Sequence, residues 1–346
     1  MYRKKPGGKN KMSIVLHNKI VHILEKEKNN LILTDYEAPS NPDADKMYIK
    51  LYNSVAKNEF LRKATFNNFE ESQIRQLTED IIYNPETFVE NSKEIAKLLF
   101  DEMLLSPDMD SCSLAVALFT VKDEKRVGIF KIDFKKNLSS KIDDSSNGKV
   151  IDIVESNNSF SSSLKSNQAV IIGATGMNDD FHLKALDRDA EKNGTDSSFI
   201  DKFLDVTKLE DDEYKTKVFK QTAENFITNY FYEDAKEAEE ARSYLNYTLS
   251  NKNNINPEKF IEDIVKDEDK KEVIAELFEE KNLTEEIEID KKWIEKKIKN
   301  TTKKLDTGFV LKGKLEDFND PMKYSVTKNN DGSINIILKN IKFIEQ

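Results

Sequence analysis

At 346 residues the chain exceeds the roughly 250–300 residues at which a single hydrophobic core stops growing, so two lobes are expected. Hydrophobic residues make up 38% and charged residues 34%, and no apolar run approaches the ~20 residues that a membrane-spanning helix needs. Basic residues number 54 against 64 acidic, a formal net charge of −10, which excludes holding nucleic acid with the whole surface and leaves only a local patch of Lys and Arg.

The first twelve residues, MYRKKPGGKNKM, read as a flexible basic tail with Arg3, Lys4, Lys5, Lys9 and Lys11. Either it reaches phosphates as a disordered arm, or it is a remnant ahead of an alternative start at Met12. The apolar run that follows, Ser13 to Leu16, is broken by His17 and Asn18 and is too short for a signal peptide, so a cytoplasmic location is expected. Residues 13–36 predict two strands, SIVLHNKIVHIL and LILTDY, around a polar turn at Glu25 to Asn30. Asn84-Pro85 then predicts a helix start, with Asn as cap and Pro at the first position, before Ile95, Leu99 and Met103 recur at four-residue spacing up to Pro107. The runs at 113–123 and 127–134 predict a central antiparallel pair joined by Glu124-Lys125-Arg126.

Between Asn137 and Asn167 the composition turns to Ser, Asn, Asp and Lys, which predicts exposed loops around one short strand at Val150 to Val154. Gln168 to Gly173 and Phe181 to Leu186 predict a further strand pair, closing the first lobe at residue 205. From Asp212 the apolar period changes from two to about 3.6. Phe219, Ala223, Phe226 and Tyr230 mark one helix face, Asn256-Pro257 starts another helix, and a last helix near Asp290 to Lys299 carries Trp293, Ile294 and Ile298 inward. Val326, Ile334, Ile336 and Leu338 alternate around the turn dipeptide Asp331-Gly332, which predicts a terminal hairpin that extends or caps a sheet. The expected architecture is α+β: a basic tail at 1–12, a mostly antiparallel sheet lobe with packed helices at 13–205, a helical lobe at 206–304, and C-terminal strands with a β-hairpin at 305–346.

Four patterns imitate functional sites. Gly173-Ala174-Thr175-Gly176 follows a strand like the start of a dinucleotide loop, but the third glycine is absent where Asp179 stands and no βαβ alternation surrounds it. Asp187, Asp189, Glu191 and Asn193 alternate like a calcium loop, yet Gly194 comes two positions late and Ser198 stands where the bidentate glutamate belongs. His17, His22 and His182 are scattered, and the odd spacing of the first two puts them on opposite faces of one strand. Cys112, the one cysteine, reads as a small buried hydrophobe. No cofactor, metal or catalytic set is therefore expected. The acidic run KEAEEA at 236–241 reads as a solvated helix face.

One basic cluster is attached to ordered structure. Lys291, Lys292, Lys296, Lys297, Lys299, Lys303 and Lys304 crowd the last helix and its exit, followed by Lys312 and Lys314. Two readings of it stay open: a helix end whose lysines complement the dipole, or a phosphate-binding patch. Because Lys is a mobile point charge and Arg the fork that reads guanine, such a patch implies sequence-tolerant contact.

The stretches KIVHILE at 19–25, FLDVTKLEDDEYKTKVF at 203–219, EIEIDKKWIEKKIK at 286–299, LDTGFVLKG and DGSINIILKNI together resemble the bacterial nucleoid-associated proteins of the NdpA (YejK-like) family over nearly the full chain. The resemblance implies a non-enzymatic protein at the nucleoid and defines no catalytic residues. Two functions are compatible with it: non-sequence-specific DNA association through the lysine patch, or an adaptor recruited to chromosome-associated or defence machinery without touching DNA.

Overall fold

The structure is a computed structural model that describes residues 14–342, apart from 135–136, 146–147, 157–165, 174–180, 233, 298–299, 305–306, 319 and 330–332. At 137–145, 148–156, 235, 296–297, 300–304, 315–316 and 328 it describes the backbone alone. The chain divides into two compact units, Met1–Leu209 and Glu210–Gln346.

The first unit runs β1 (Ile14–Glu25), β2 (Asn30–Ile32), α1 (Pro42–Ala56), β3 (Arg62–Phe66), α2 (Gln73–Tyr83), α3 (Phe88–Leu105), β4 (Cys112–Val121), β5 (Glu124–Asp133), β6 (Asn137–Ser145), β7 (Gly148–Ser156), β8 (Gln168–Gly173), β9 (Leu183–Asp187), α4 (Arg188–Asn193) and β10 (Val206–Lys208). Eight of these strands form one antiparallel sheet in the order β10-β3-β9-β8-β5-β4-β1-β2. Strand alternation splits its core in two. Leu114, Val116, Leu118, Val127, Ile129, Val170 and Ile172 bury against α2, α3 and the short helical turn Phe199–Phe203. The intervening Ala115, Ala117, Phe119, Phe130, Ala169 and Ile171 bury with Tyr48, Leu51, Tyr52 and Val55 of α1. Cover on both faces explains why β4 and β5 read as continuous apolar runs, where a half-exposed antiparallel strand would alternate with polar residues. Gly128 is required there, because a Cβ would meet the Phe130 ring at 2.4 Å.

The second unit runs α5 (Asp212–Tyr230), α6 (Ala235–Asn251), β11 (Asn254–Ile255), α7 (Pro257–Ile264), α8 (Glu268–Glu279), β12 (Ile287–Glu288), α9 (Lys291–Lys297), β13 (Asn300–Lys304), β14 (Val310–Lys314), α10 (Leu315–Phe318), β15 (Tyr324–Lys328) and β16 (Ile334–Leu338). Phe219, with Phe260 and Phe278 each 5.0 Å away between ring centroids, centres a core of Ala223, Phe226, Leu245, Leu249, Ile274 and Ile294. Each of α5 to α8 starts on an Asp or Asn whose side chain accepts from the first-turn backbone: Asp211, Asp234, Asn256 and Asp267.

The α+β class and the central β4–β5 pair match the sequence reading, but the turn between them is Lys122-Asp123, both at positive φ, and Glu124, Lys125 and Arg126 pair within β5. Several expectations change. The polar stretch after Asn137 holds two strands, since β6 pairs with β7 from Asn137↔Ser156 to Ser145↔Gly148 despite its Ser and Asp content. Val206–Lys208 pairs with β3 and so belongs to the sheet. Asn84 makes no side-chain cap; Pro85–Thr87 forms a separate tight turn before α3, while Asn41 and Asn256 do cap their helices. Lys303 and Lys304 lie on a strand, not at a helix exit, and Tyr230 is exposed. The β15–β16 hairpin extends no sheet: among the described residues each of its strands pairs only with the other. Its turn, Asp331-Gly332, and the tail at 1–12 lie outside the described residues.

Candidate nucleic-acid interface

The lysine cluster begins on α9, and the start of that helix is fastened at several points. Asp290 caps it, accepting from the Trp293 N–H at 2.8 Å, while its own N–H donates to Thr216 Oγ1 of α5 at 3.0 Å. Ile294 is buried in the second unit's core and Trp293 packs against it, as the apolar spacing predicts for these two; Ile298 lies outside the described residues. The two lysines at the helix start then diverge. Lys291 Nζ donates to the carbonyls of Leu249 and Ser250, both at 3.1 Å, and of Lys252. These carbonyls end α6, where the helix dipole favours a cation. Partial burial holds the Lys291 pKa below its ordinary value. Lys291 is thus engaged by the carbonyls at the end of α6. Lys292 is exposed.

Beyond α9 the chain forms a two-stranded ribbon. Asn300 pairs with Lys314, Thr302 with Lys312, Lys303 with Leu311 and Lys304 with Val310. The register therefore brings Lys312 and Lys314 of β14 alongside the strand that carries Lys303 and Lys304, which the linear sequence shows only as a later pair. The Thr301-Thr302 dipeptide and the Gly308 turn, at φ +86°, were the available signals that a strand and a return follow the helix. Lys312 is exposed. Asp317 lies near Lys314 and Lys323, and its carboxyl is held below its ordinary pKa, first by the Lys323 hydrogen bond. Between Lys291 and Lys314 the acidic residues are Glu295 and Asp306 alone. The side chains of Lys296, Lys297, Lys303 and Lys304, and all of Lys299, lie outside the described residues.

The other sequence signals resolve into structure. Asp187 caps α4 through the Ala190 N–H and accepts from Gln168 Nε2 and Ser197 Oγ; Glu191 pairs with Arg62 and Lys208; Gly194 ends the helix in the left-handed region. The alternation that resembled a calcium loop is a capped helix. Gly173 ends β8, whose next strand, β9, returns antiparallel from Ile172↔Leu183, the opposite of the parallel crossover behind a dinucleotide loop. Residues 174–180 lie outside the described residues.

His22 is fully buried, with Nδ1 accepting from the Thr34 N–H at 3.1 Å, so Nε2 carries the proton toward Ser92 Oγ at 3.0 Å. Burial first, then the Lys93 charge, lowers its pKa to about 4. His17 sits at a β-bulge between Leu16 and Asn18 and reaches Thr120 Oγ1 at 2.7 Å. Thr120 shares the face of Leu118 and Val116, as His22 does, so the bulge cancels the opposite-face expectation. His182 accepts from the Phe66 N–H at 3.0 Å and stacks on the Phe66 ring. Burial pushes the Cys112 thiol up to about 12. Among the described residues no three His, Cys, Asp or Glu gather in a metal-binding group.

Against known protein families, the model described as nucleoid-associated protein YejK matches residues 20–344. The chain belongs to this family. The match begins inside β1 and extends past β16, so it takes in both units and every ribbon. Family membership assigns a nucleoid-associated role, and among the described residues no helix is long and apolar enough to cross a membrane. Compared with the curated proteins, the sequence matches none.

Proposed function

We propose that this family member is a non-enzymatic protein that associates with DNA directly, through phosphate contacts made by the end of α9 and the β13–β14 ribbon. The observation that carries the reading is the ribbon register, which draws lysines from two separate stretches of sequence onto adjacent strands. Lys292, Lys296, Lys297, Lys299, Lys303, Lys304 and Lys312 are its residues; Lys291 is left out because it already serves the end of α6. A chain of net charge −10 repels DNA elsewhere, so contact concentrates where acidic residues are sparse. Ammonium groups recognise phosphate without reading bases, so the contact is sequence-tolerant. The commitment of His22, His182 and Cys112 to packing and backbone hydrogen bonds supports the non-enzymatic part.

The test replaces Lys296, Lys297, Lys299, Lys303 and Lys304 with glutamine and follows duplex binding against salt. Affinity should fall alike for unrelated sequences, with the log–log salt slope shallower by up to about 0.9 for each phosphate that the protein no longer neutralises. If the substituted protein binds as before, the ribbon is not the interface. If the unsubstituted protein fails to bind at low salt, the adaptor reading, which needs no such salt dependence, replaces this one.

A further inference from the structure

Among the described residues the β15–β16 hairpin is an amphipathic two-stranded sheet with no third strand. Its register pairs Tyr324 with Leu338, Val326 with Ile336 and the Lys328 position with Ile334, which gathers most of its apolar residues on one face. Tyr324 is buried against Phe318 at one end, but Ile334 is 42% and Leu338 44% exposed. An isolated two-stranded hairpin is marginal in water and gains stability from further strands or from a helix packed on it; α10 supplies the helix contact at the Tyr324 end, through Phe318. The Asn329 N–H donates to the Ser333 carbonyl and the Lys339 N–H to the Lys323 carbonyl, both at 2.8 Å. By antiparallel geometry the backbone groups of Asn335 and Ile337 then face β15, while Ile334, Ile336 and Leu338 turn their backbone N–H and C=O groups outward.

We propose that this outer edge of β16 pairs antiparallel with the same edge of a second copy of the chain, on a two-fold axis at Ile336, giving the four-stranded order β15-β16-β16-β15. Three features select a second copy. From Ile334 to Leu338 the strand carries no charge, so under the two-fold Ile334 meets Leu338, Ile336 meets Ile336, and the apolar face continues across the junction. The nearest flanking charge, Lys339, falls opposite Ser333 of the other copy in the antiparallel arrangement, whereas parallel pairing would set Lys339 beside Lys339. The edges left over belong to β15, entered by Pro321 and Lys323, residues that discourage further strand addition. The pairing is isologous and closes at two copies.

Sedimentation velocity on the full chain tests this. The unsubstituted protein should form a concentration-dependent dimer, and Ile336→Lys, which sets two ammonium groups face to face at the axis, should weaken it by about tenfold or more. An equimolar mixture of Ile336→Lys and Ile336→Glu chains should recover the dimer. A monomeric unsubstituted protein at about 100 μM, far above ordinary dimer constants, overturns the proposal; so does a dimer indifferent to Ile336→Lys, or a mixture that stays monomeric. Amide hydrogen exchange on the unsubstituted chain needs no variant: protection at Ile334, Ile336 and Leu338 should rise with protein concentration, and equal exchange at low and high concentration refutes the edge.

Discussion

Strands β4 and β16 are both apolar, Leu114-Ala115-Val116-Ala117-Leu118 against Ile334-Asn335-Ile336-Ile337-Leu338, yet the first is wholly buried and the second largely exposed. Context makes the difference. β4 has a hydrogen-bonded neighbour on each side and helices over both faces, whereas β16 pairs, among the described residues, with β15 alone. A strand inside the large sheet is fixed by its surroundings, and its residues answer to packing. A strand of a free ribbon keeps its alternation without a core to explain it, so its residues are available to a ligand or a second chain.

The sharpest test of that contrast is truncation. Phe130→Ala removes a fully buried ring packed edge-on to Phe119 and should cost about 3–5 kcal/mol in denaturant unfolding. Ile337→Ala, at a side chain 44% exposed, should cost under about 1 kcal/mol at low protein concentration. Equal losses would mean that the ribbon is as much a part of a core as the sheet.

Acid separates the two regions next. His22 is held neutral in the first unit, its pKa lowered from 6.5 to about 4. Between those values the unfolded chain binds a proton that the folded one does not, so its contribution is complete above about pH 6.5 and is lost as the pH falls toward 4. The loss should reach roughly 3 kcal/mol. Unfolding followed from pH 7.5 to 4.5 should show this slope in the unsubstituted protein, and a His22→Gln chain, less stable at neutral pH, should show a flatter one. No comparable histidine lies in the second unit, since His17, His22 and His182 are the complete set.

What could be read from the sequence follows the same division. The β4–β5 pair, the α5 face of Phe219, Ala223 and Phe226, and the α7 start at Asn256-Pro257 were legible because burial, periodicity and capping all pointed one way. β6 was not, because Ser139, Ser140, Asp143 and Asp144 have low strand propensity and the hairpin is fixed by its pairing with β7. The short β3 and β10 depend on neighbours distant in sequence, which no local window contains. The lysine group was visible as composition. Its division into an α6 contact at Lys291 and a ribbon at Lys303, Lys304, Lys312 and Lys314 needed the α6 carbonyls and the strand register.

That division gives the smallest and most specific contrast, between two adjacent lysines. Lys291→Ala leaves the Leu249, Ser250 and Lys252 carbonyls without their donor and should cost about 1–2 kcal/mol of stability, because a cation at a helix C-terminus contributes through both dipole and hydrogen bonds. Its effect on DNA affinity should be slight once the protein is folded, since that ammonium already serves the carbonyls at the end of α6. Lys292→Gln should do the reverse. At this exposed position the substitution should leave stability unchanged within about 0.5 kcal/mol, the usual range for the surface. If Lys292 contacts a phosphate, the salt slope becomes shallower by up to about 0.9. Measuring both properties on both variants decides whether charge near α9 works through the fold or through DNA. A Lys292→Gln chain that loses stability, or a Lys291→Ala chain that keeps its stability and loses the salt dependence, would exchange the two roles and move the interface toward α6.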